Sequence, residues 1–134
     1  ILMQFPLGAL GDKIGRRKVI VSGLIVGSIF FFIGNFWENS EIFVAATFLL
    51  AGMSVGSMFS LGITYMTDLT PKELLPTGNL LCGIFFSLGS LSGPLLGGLY
   101  LEIFPDSGFL FVIAVMLLIV AIVVFFGKPK KLSL

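Results

Sequence analysis

The side chains best equipped for specific chemistry lie near the start of the chain, where residues 8–18 read GALGDKIGRRK. Gly15 permits a tight reversal, Asp12 can accept N–H bonds at a neighbouring helix end, and Arg16 and Arg17 offer rigid donor forks that fit carboxylates. This is the chemistry of ion pairing. Bond-making chemistry lacks its groups: the chain has no His and a single Cys, Cys82, which sits in an apolar run and reads as a buried small residue. Zinc sites, disulfide frameworks and Cys/His nucleophiles are therefore not expected, and neither is any metal or cofactor. The acids nearest the spanning apolar runs, Asp68 and Glu102, sit at their ends, so an intramembrane acid–base pair is absent and an enzyme is not expected. A channel would need a charged ring or a repeated carbonyl-filter sequence, and neither occurs.

The elements that position these residues follow from composition. Of 134 residues, 57% are hydrophobic and 11% charged, against about 25% charged in soluble domains. Four runs, 19–37, 42–67, 79–103 and 108–127, reach the ~20 residues a membrane helix needs. Residues 1–10 cover only about 15 Å of a roughly 30 Å core and read as a partial span, the end of a cut helix. No basic region precedes that stretch and strongly basic residues follow it, which argues against a signal peptide. The fold class is thus an all-α membrane protein, a single transmembrane unit over 1–134, with four complete helices and the end of a fifth.

Charge sets the orientation. The eight basic residues, Lys13, Arg16, Arg17, Lys18, Lys72, Lys128, Lys130 and Lys131, all fall in alternate connections. By the positive-inside rule, segments 11–18 and 68–78 are cytoplasmic loops and 128–134 is a cytoplasmic tail. The opposite loops hold Glu38, Glu41, Glu102 and Asp106 and no basic residue. A multi-pass protein of the plasma membrane with a cytoplasmic C-terminus is expected, with the lipid bilayer as its surroundings and no nucleic-acid partner.

The spans differ in kind. Residues 108–127 carry no hydroxyl, amide or charge, and 19–37 almost none before Asn35, so both read as peripheral, lipid-facing helices. Residues 42–67 place Gly52, Gly56, Ser60 and Thr64 at four-residue intervals, and 79–103 do likewise with Gly89, Gly93 and Gly97. Such faces permit close helix approach. Residues 89–98, GSLSGPLLGG, place Pro94 among these glycines, where a lost backbone bond allows bending.

The first loop resembles the signature loop of the major facilitator superfamily, Gly-x-Leu-x-Asp-(Arg/Lys)-x-Gly-(Arg/Lys)-(Arg/Lys). Gly8, Leu10, Asp12, Lys13, Gly15, Arg16 and Arg17 fill its specified positions. Gly89, Gly93, Pro94, Gly97 and Gly98 likewise resemble that family's Gly-x-x-x-Gly-Pro-x-x-Gly-Gly element. The resemblance implies a six-helix half of a secondary transporter working by alternating access, with the missing half as its partner and a small molecule as substrate. It also implies a conformational role for the loop, in a cytoplasmic network bracing the two halves in the outward-open state. Asp12 would then dock on a helix end of the other half, and Arg16 or Arg17 would pair with Asp68.

The loop motif occurs in both halves of such transporters. FLLAG at 48–52 and PKELLPTGN at 71–79 lack arginines usual in the first half, and seven residues, KPKKLSL, follow the last span. These features favour the C-terminal half, from the end of the eighth helix through the twelfth. Drug efflux and metabolite uptake both remain open as functions. Candidate cavity-lining residues are Ser57, Thr64, Tyr65, Asn79, Ser87 and Ser90, each also able to bond between helices. Any proton or sodium coupling is expected to draw its carboxylate from outside this chain. The alternative is a non-transporting or degenerate membrane scaffold.

Overall fold

A computed structural model describes residues 2–37, 39–105 and 108–127. Glu38, Asp106 and the tail 128–134, with its three lysines, lie outside the described residues. The elements run α1 (Gln4–Ile14), α2 (Arg16–Phe36), α3 (Glu41–Val55), α4 (Met58–Leu69), a 3₁₀ turn (Lys72–Leu74), α5 (Leu75–Ile103) and α6 (Phe109–Phe126). Among the described residues there is no strand, and four helical spans are long and apolar enough to cross a membrane.

Helices run past the apolar runs that the sequence marks out. Most of segment 11–18 is helical, leaving Gly15 alone between α1 and α2. Its φ of 103° lies where only glycine is at ease, which explains a one-residue reversal. Segment 68–78 likewise contains the end of α4, the 3₁₀ turn and the start of α5, whose Pro76 sits in the first turn, where the missing N–H is harmless. Pro94 does not interrupt α5.

Span 42–67 is not one uninterrupted helix. It breaks at Gly56 and Ser57 into α3 and α4, which together still form one crossing. The Gly56 N–H closes on the Gly52 carbonyl at 2.7 Å, and a Cβ on Gly56 would stand 2.5 Å from that same oxygen. The glycine read as a packing residue is thus also demanded by a tight local turn.

A second correction concerns residues 19–37. They are not a simple lipid-facing helix: α2 is the hub of the bundle, packed against α1, α3, α4 and α6. Its buried face carries Ile20, Gly23, Leu24, Gly27, Phe31 and Gly34 at helical spacing. A Cβ on Gly27 would stand 2.6 Å from Val55 Cγ2, and one on Gly34 would stand 2.6 Å from Thr47 Cγ2. At Gly23 the overlap would be with the Met58 methyl. Close backbone approach along α2 thus holds α3 and α4 to it. The opposite face, including Ile25, Ile29 and Ile33, is exposed and apolar.

Helix α6 meets α2 through a stripe of Leu110, Ala114 and Ala121, while most of its remaining surface is exposed. Ser28 of α2 donates a buried hydrogen bond to the Ala114 carbonyl at 2.6 Å, an interhelical bond of the kind worth on average ~0.6 kcal/mol in membranes. Near the far end of the same pair, the buried Asn35 Oδ1 has no hydrogen-bond partner and lies against Gly108, leaving no room there for a side chain. Helix α5 has no buried residue. It touches its neighbours through Phe59–Phe86, Met66 against Gly78, and Phe109 against Tyr100 and Gly97. A Cβ on Gly89, Gly93 or Gly98 would meet nothing within 4 Å, and the same holds for Gly52. Cys82, read as buried, is half-buried on this helix.

Candidate functional site

The site forms where the single-residue turn at Gly15 brings Asp12 and Arg16 onto facing turns. Arg16 Nη2 donates to Asp12 Oδ1 at 2.7 Å. Its Nη1 reaches α4, lying 3.0 Å from Asp68 Oδ2 and donating to the Thr64 carbonyl at 3.1 Å. One planar guanidinium thus holds three acceptors from two other helices, which its fork geometry permits and a lysine ammonium does less well. Arg16 is 21% exposed, whereas Asp12 and Asp68 are 64% and 52% exposed. Solvent screening keeps each ion pair near ~1 kcal/mol or below. Cooperation among the three contacts, more than the strength of any one, fixes the geometry.

Arg17, one residue on, points elsewhere. Its Nε donates to the Val124 carbonyl at 2.9 Å and its Nη2 to the Phe125 carbonyl. These acceptors belong to the last turn of α6, where carbonyls lack helical partners and the helix dipole favours a cation. The pairing with Asp68 is therefore made by Arg16, and Arg17 caps α6. Lys13 is exposed in the last turn of α1. Together these contacts bring residues 12–17, 64–68 and 124–125 to one end of the bundle. Thr47 against Gly34 and Asn35 against Gly108 mark the other end.

Three cavities divide the candidate lining residues. A polar pocket of about 170 Å³ holds Gly8, Asp12, Arg16, Ser57, Ser60 and Thr64, together with Gln4 and Leu61. Tyr65 instead faces an open groove of about 830 Å³ that it shares with Arg16, Arg17, Lys18 and Asp68. Asn79 and Ser87 line a shallow cleft of about 570 Å³ on α5 alone, where Ser87 donates to the Gly83 carbonyl at 2.8 Å. Ser90 is exposed and lines none of these three. The six candidates are therefore not gathered in one cavity within this chain. Among the described residues no cluster could hold a metal ion.

Sequence reasoning missed the Arg17 cap, the Ser28 bond and the role of α2. The last was visible in residues 22–28, SGLIVGS, whose Gly23 and Gly27 form a small-xxx-small pair. The Arg17 acceptors are main-chain carbonyls, which no residue type announces.

The profile of the Major Facilitator Superfamily matches residues 1–134. The chain is 48% identical over 133 residues to the uncharacterized MFS-type transporter YfkF of Bacillus subtilis, covering 99% of this chain and 34% of that protein. It is 32% identical over 116 residues to the multidrug efflux pump LfrA of Mycolicibacterium smegmatis, covering 84% of this chain and 22% of the pump. With the 4-hydroxybenzoate transporter PcaK of Pseudomonas aeruginosa, identity is 26% over 126 residues, covering 92% of this chain and 28% of PcaK. The chain spans about a third or less of the length of these relatives. No solved structure is a significant match. With its signature turn, its membrane-spanning helices and a family match from end to end, the chain belongs to the major facilitator superfamily.

Proposed function

We propose that this chain supplies the gate and wall of a secondary transporter that moves a small organic solute across the plasma membrane by alternating access. In this reading it forms the eighth to twelfth helices of a two-half carrier, with the basic end and the C-terminus cytoplasmic. The observation that carries it is Arg16, which ties the α1–α2 turn to α4 through Asp12, Asp68 and Thr64. While that contact holds, the basic ends of the three helices move as one body. Asp12 engages Arg16 through Oδ1, leaving Oδ2 to dock on a helix end of the other half. The latch then links the halves in one access state and releases in the other.

Gly89, Gly93 and Gly98 of α5, with Gly52, fit the same reading, since their open faces suit close approach by helices of the remaining bundle. The polar pocket beside Asp12 and the Asn79–Ser87 cleft are the proposed stretches of cavity wall. Relatives named for multidrug efflux and for 4-hydroxybenzoate transport support a small organic solute in this reading.

Asp12→Asn in the full-length protein tests the latch. Transport into vesicles should fall about ten-fold or more, the scale of one lost charge-assisted bond, with membrane abundance unchanged. Undiminished transport would reduce the loop to a topological anchor. A full-length protein without gradient-driven flux of any small organic solute would favour the scaffold alternative.

A further inference from the structure

We infer that the groove of about 830 Å³ at the basic end is a binding site for an anionic phospholipid. The charge balance of its lining is uneven. Arg16, Arg17 and Lys18 face Asp68, and every ion pair among the described residues is made by Arg16. Arg17 is engaged only with main-chain carbonyls, and Lys18 is exposed with no described partner. Among the described residues neither Arg17 nor Lys18 has a carboxylate partner, and Arg16, Arg17 and Lys18 outnumber Asp12 and Asp68, so the cluster carries a net positive charge.

Below them the walls are apolar. Val21 and Ile25 of α2 face the cavity with Phe125 and Phe126 of α6, and all but Val21 are substantially exposed. A groove this size lies within the ~300–1,000 Å³ typical of ligand clefts. Because α2 and α6 span the membrane, the cations lie at the headgroup level and the apolar wall faces the acyl region. A phosphodiester with a hydrocarbon tail satisfies both parts at once: the phosphate neutralises Arg17 and Lys18, and one chain covers Ile25 and the two phenylalanines. A soluble anion would leave the wall bare, and a zwitterionic lipid would bring its own cation against Lys18.

Lys18 is the better handle for a test, since it takes no part in the latch or the cap.

The experiment is native mass spectrometry of the full-length protein in detergent, titrated with phosphatidylglycerol and, separately, with phosphatidylcholine of the same chains. Phosphatidylglycerol should bind more tightly, and the preference should shrink as salt is raised. Lys18→Gln should reduce it about five-fold, the equivalent of ~1 kcal/mol for one basic residue at a membrane surface. Lys18→Arg should restore it. Ile25→Asn should weaken both lipids several-fold, and inorganic phosphate should not displace them. Equal binding of the two lipids, or an unchanged preference in Lys18→Gln, overturns the assignment. Displacement by inorganic phosphate, with Ile25→Asn silent, would show a free-anion site and overturn it equally.

Discussion

Gly34→Ala and Gly23→Ala are the same chemical change on the same helix face, and the structure separates them. A Cβ at position 34 would stand 2.6 Å from Thr47 Cγ2, 3.0 Å from its Oγ1 and 3.2 Å from its Cβ. Ordinary carbon–carbon contact is ~3.5–4.0 Å, so the shortfall is about 1 Å. Thr47 has little means of yielding: it is 4% exposed, β-branched, and its hydroxyl donates to the Phe43 carbonyl at 2.9 Å. Helices α2 and α3 must part, and overpacking of that kind costs about 1–3 kcal/mol. At position 23 the overlap is with the end of Met58, a flexible and only half-buried side chain that can swing away. Both changes gain on the order of 1 kcal/mol in helix propensity. Gly23→Ala should therefore be neutral or slightly stabilising and Gly34→Ala destabilising by up to ~2 kcal/mol. Reversible unfolding of the full-length protein in mixed detergent and SDS micelles can measure both. Thr47→Ser removes the nearest atom, so the pair Gly34→Ala/Thr47→Ser should recover about 1 kcal/mol relative to additivity. Equal stability of the two alanine variants, or strict additivity with Thr47→Ser, would refute the reasoning.

Arg17→Gln should lower stability by on the order of 1–2 kcal/mol by uncapping α6, with protease access to the end of that helix rising in parallel. Arg16→Lys should behave as a near-complete loss of the latch, because an ammonium replaces the fork that serves three acceptors; transport assayed beside membrane abundance tests this. Gly93→Leu should reduce folding yield in detergent more than Pro94→Ala, since the open face at Gly93 is proposed to receive a helix of the other half. Glu102→Gln should leave gradient-driven transport intact, because the coupling carboxylate is proposed to lie outside this chain.

Much of the fold was legible because a bilayer enforces it. Unsatisfied backbone is costly in hydrocarbon, so apolar runs of sufficient length must be helices. The break at Gly56–Ser57 escaped, since an apolar run does not show where a turn tightens. The position of α2 escaped for a different reason. In lipid the driving force between helices is close packing and not polar content, and Gly23, Gly27 and Gly34 supply it without any polar atom. The Asp12–Arg16 pair was not foreseen, since Asp12 was assigned to a helix end of the other half; a pair between Asp68 and one of the two arginines was expected from the loop's family resemblance. Which arginine did the pairing was not, because two adjacent guanidinium groups look alike until their directions are known.

Those directions follow from helix geometry. Successive residues of an α-helix are about 100° apart, so two adjacent long side chains at its first turn must reach different neighbours. At the start of α2 the neighbours are α4 on one side and α6 on the other, and Arg16 and Arg17 take one each. The Arg-Arg pair is thus a clamp that fixes the end of α2 between two helices, using one carboxylate and a carbonyl on the α4 side and carbonyls alone on the α6 side. The two grips differ in what can release them. The Arg16 grip on α4 depends on one exposed carboxylate, Asp68, open to competition from water, salt or another helix end, beside a single main-chain carbonyl. The Arg17 side depends on main-chain carbonyls that stay in place as long as α6 is folded. A conformational cycle that opens this end of the bundle would accordingly part α2 from α4 before it parts α2 from α6, and α2 with α6 would travel together as the rigid element.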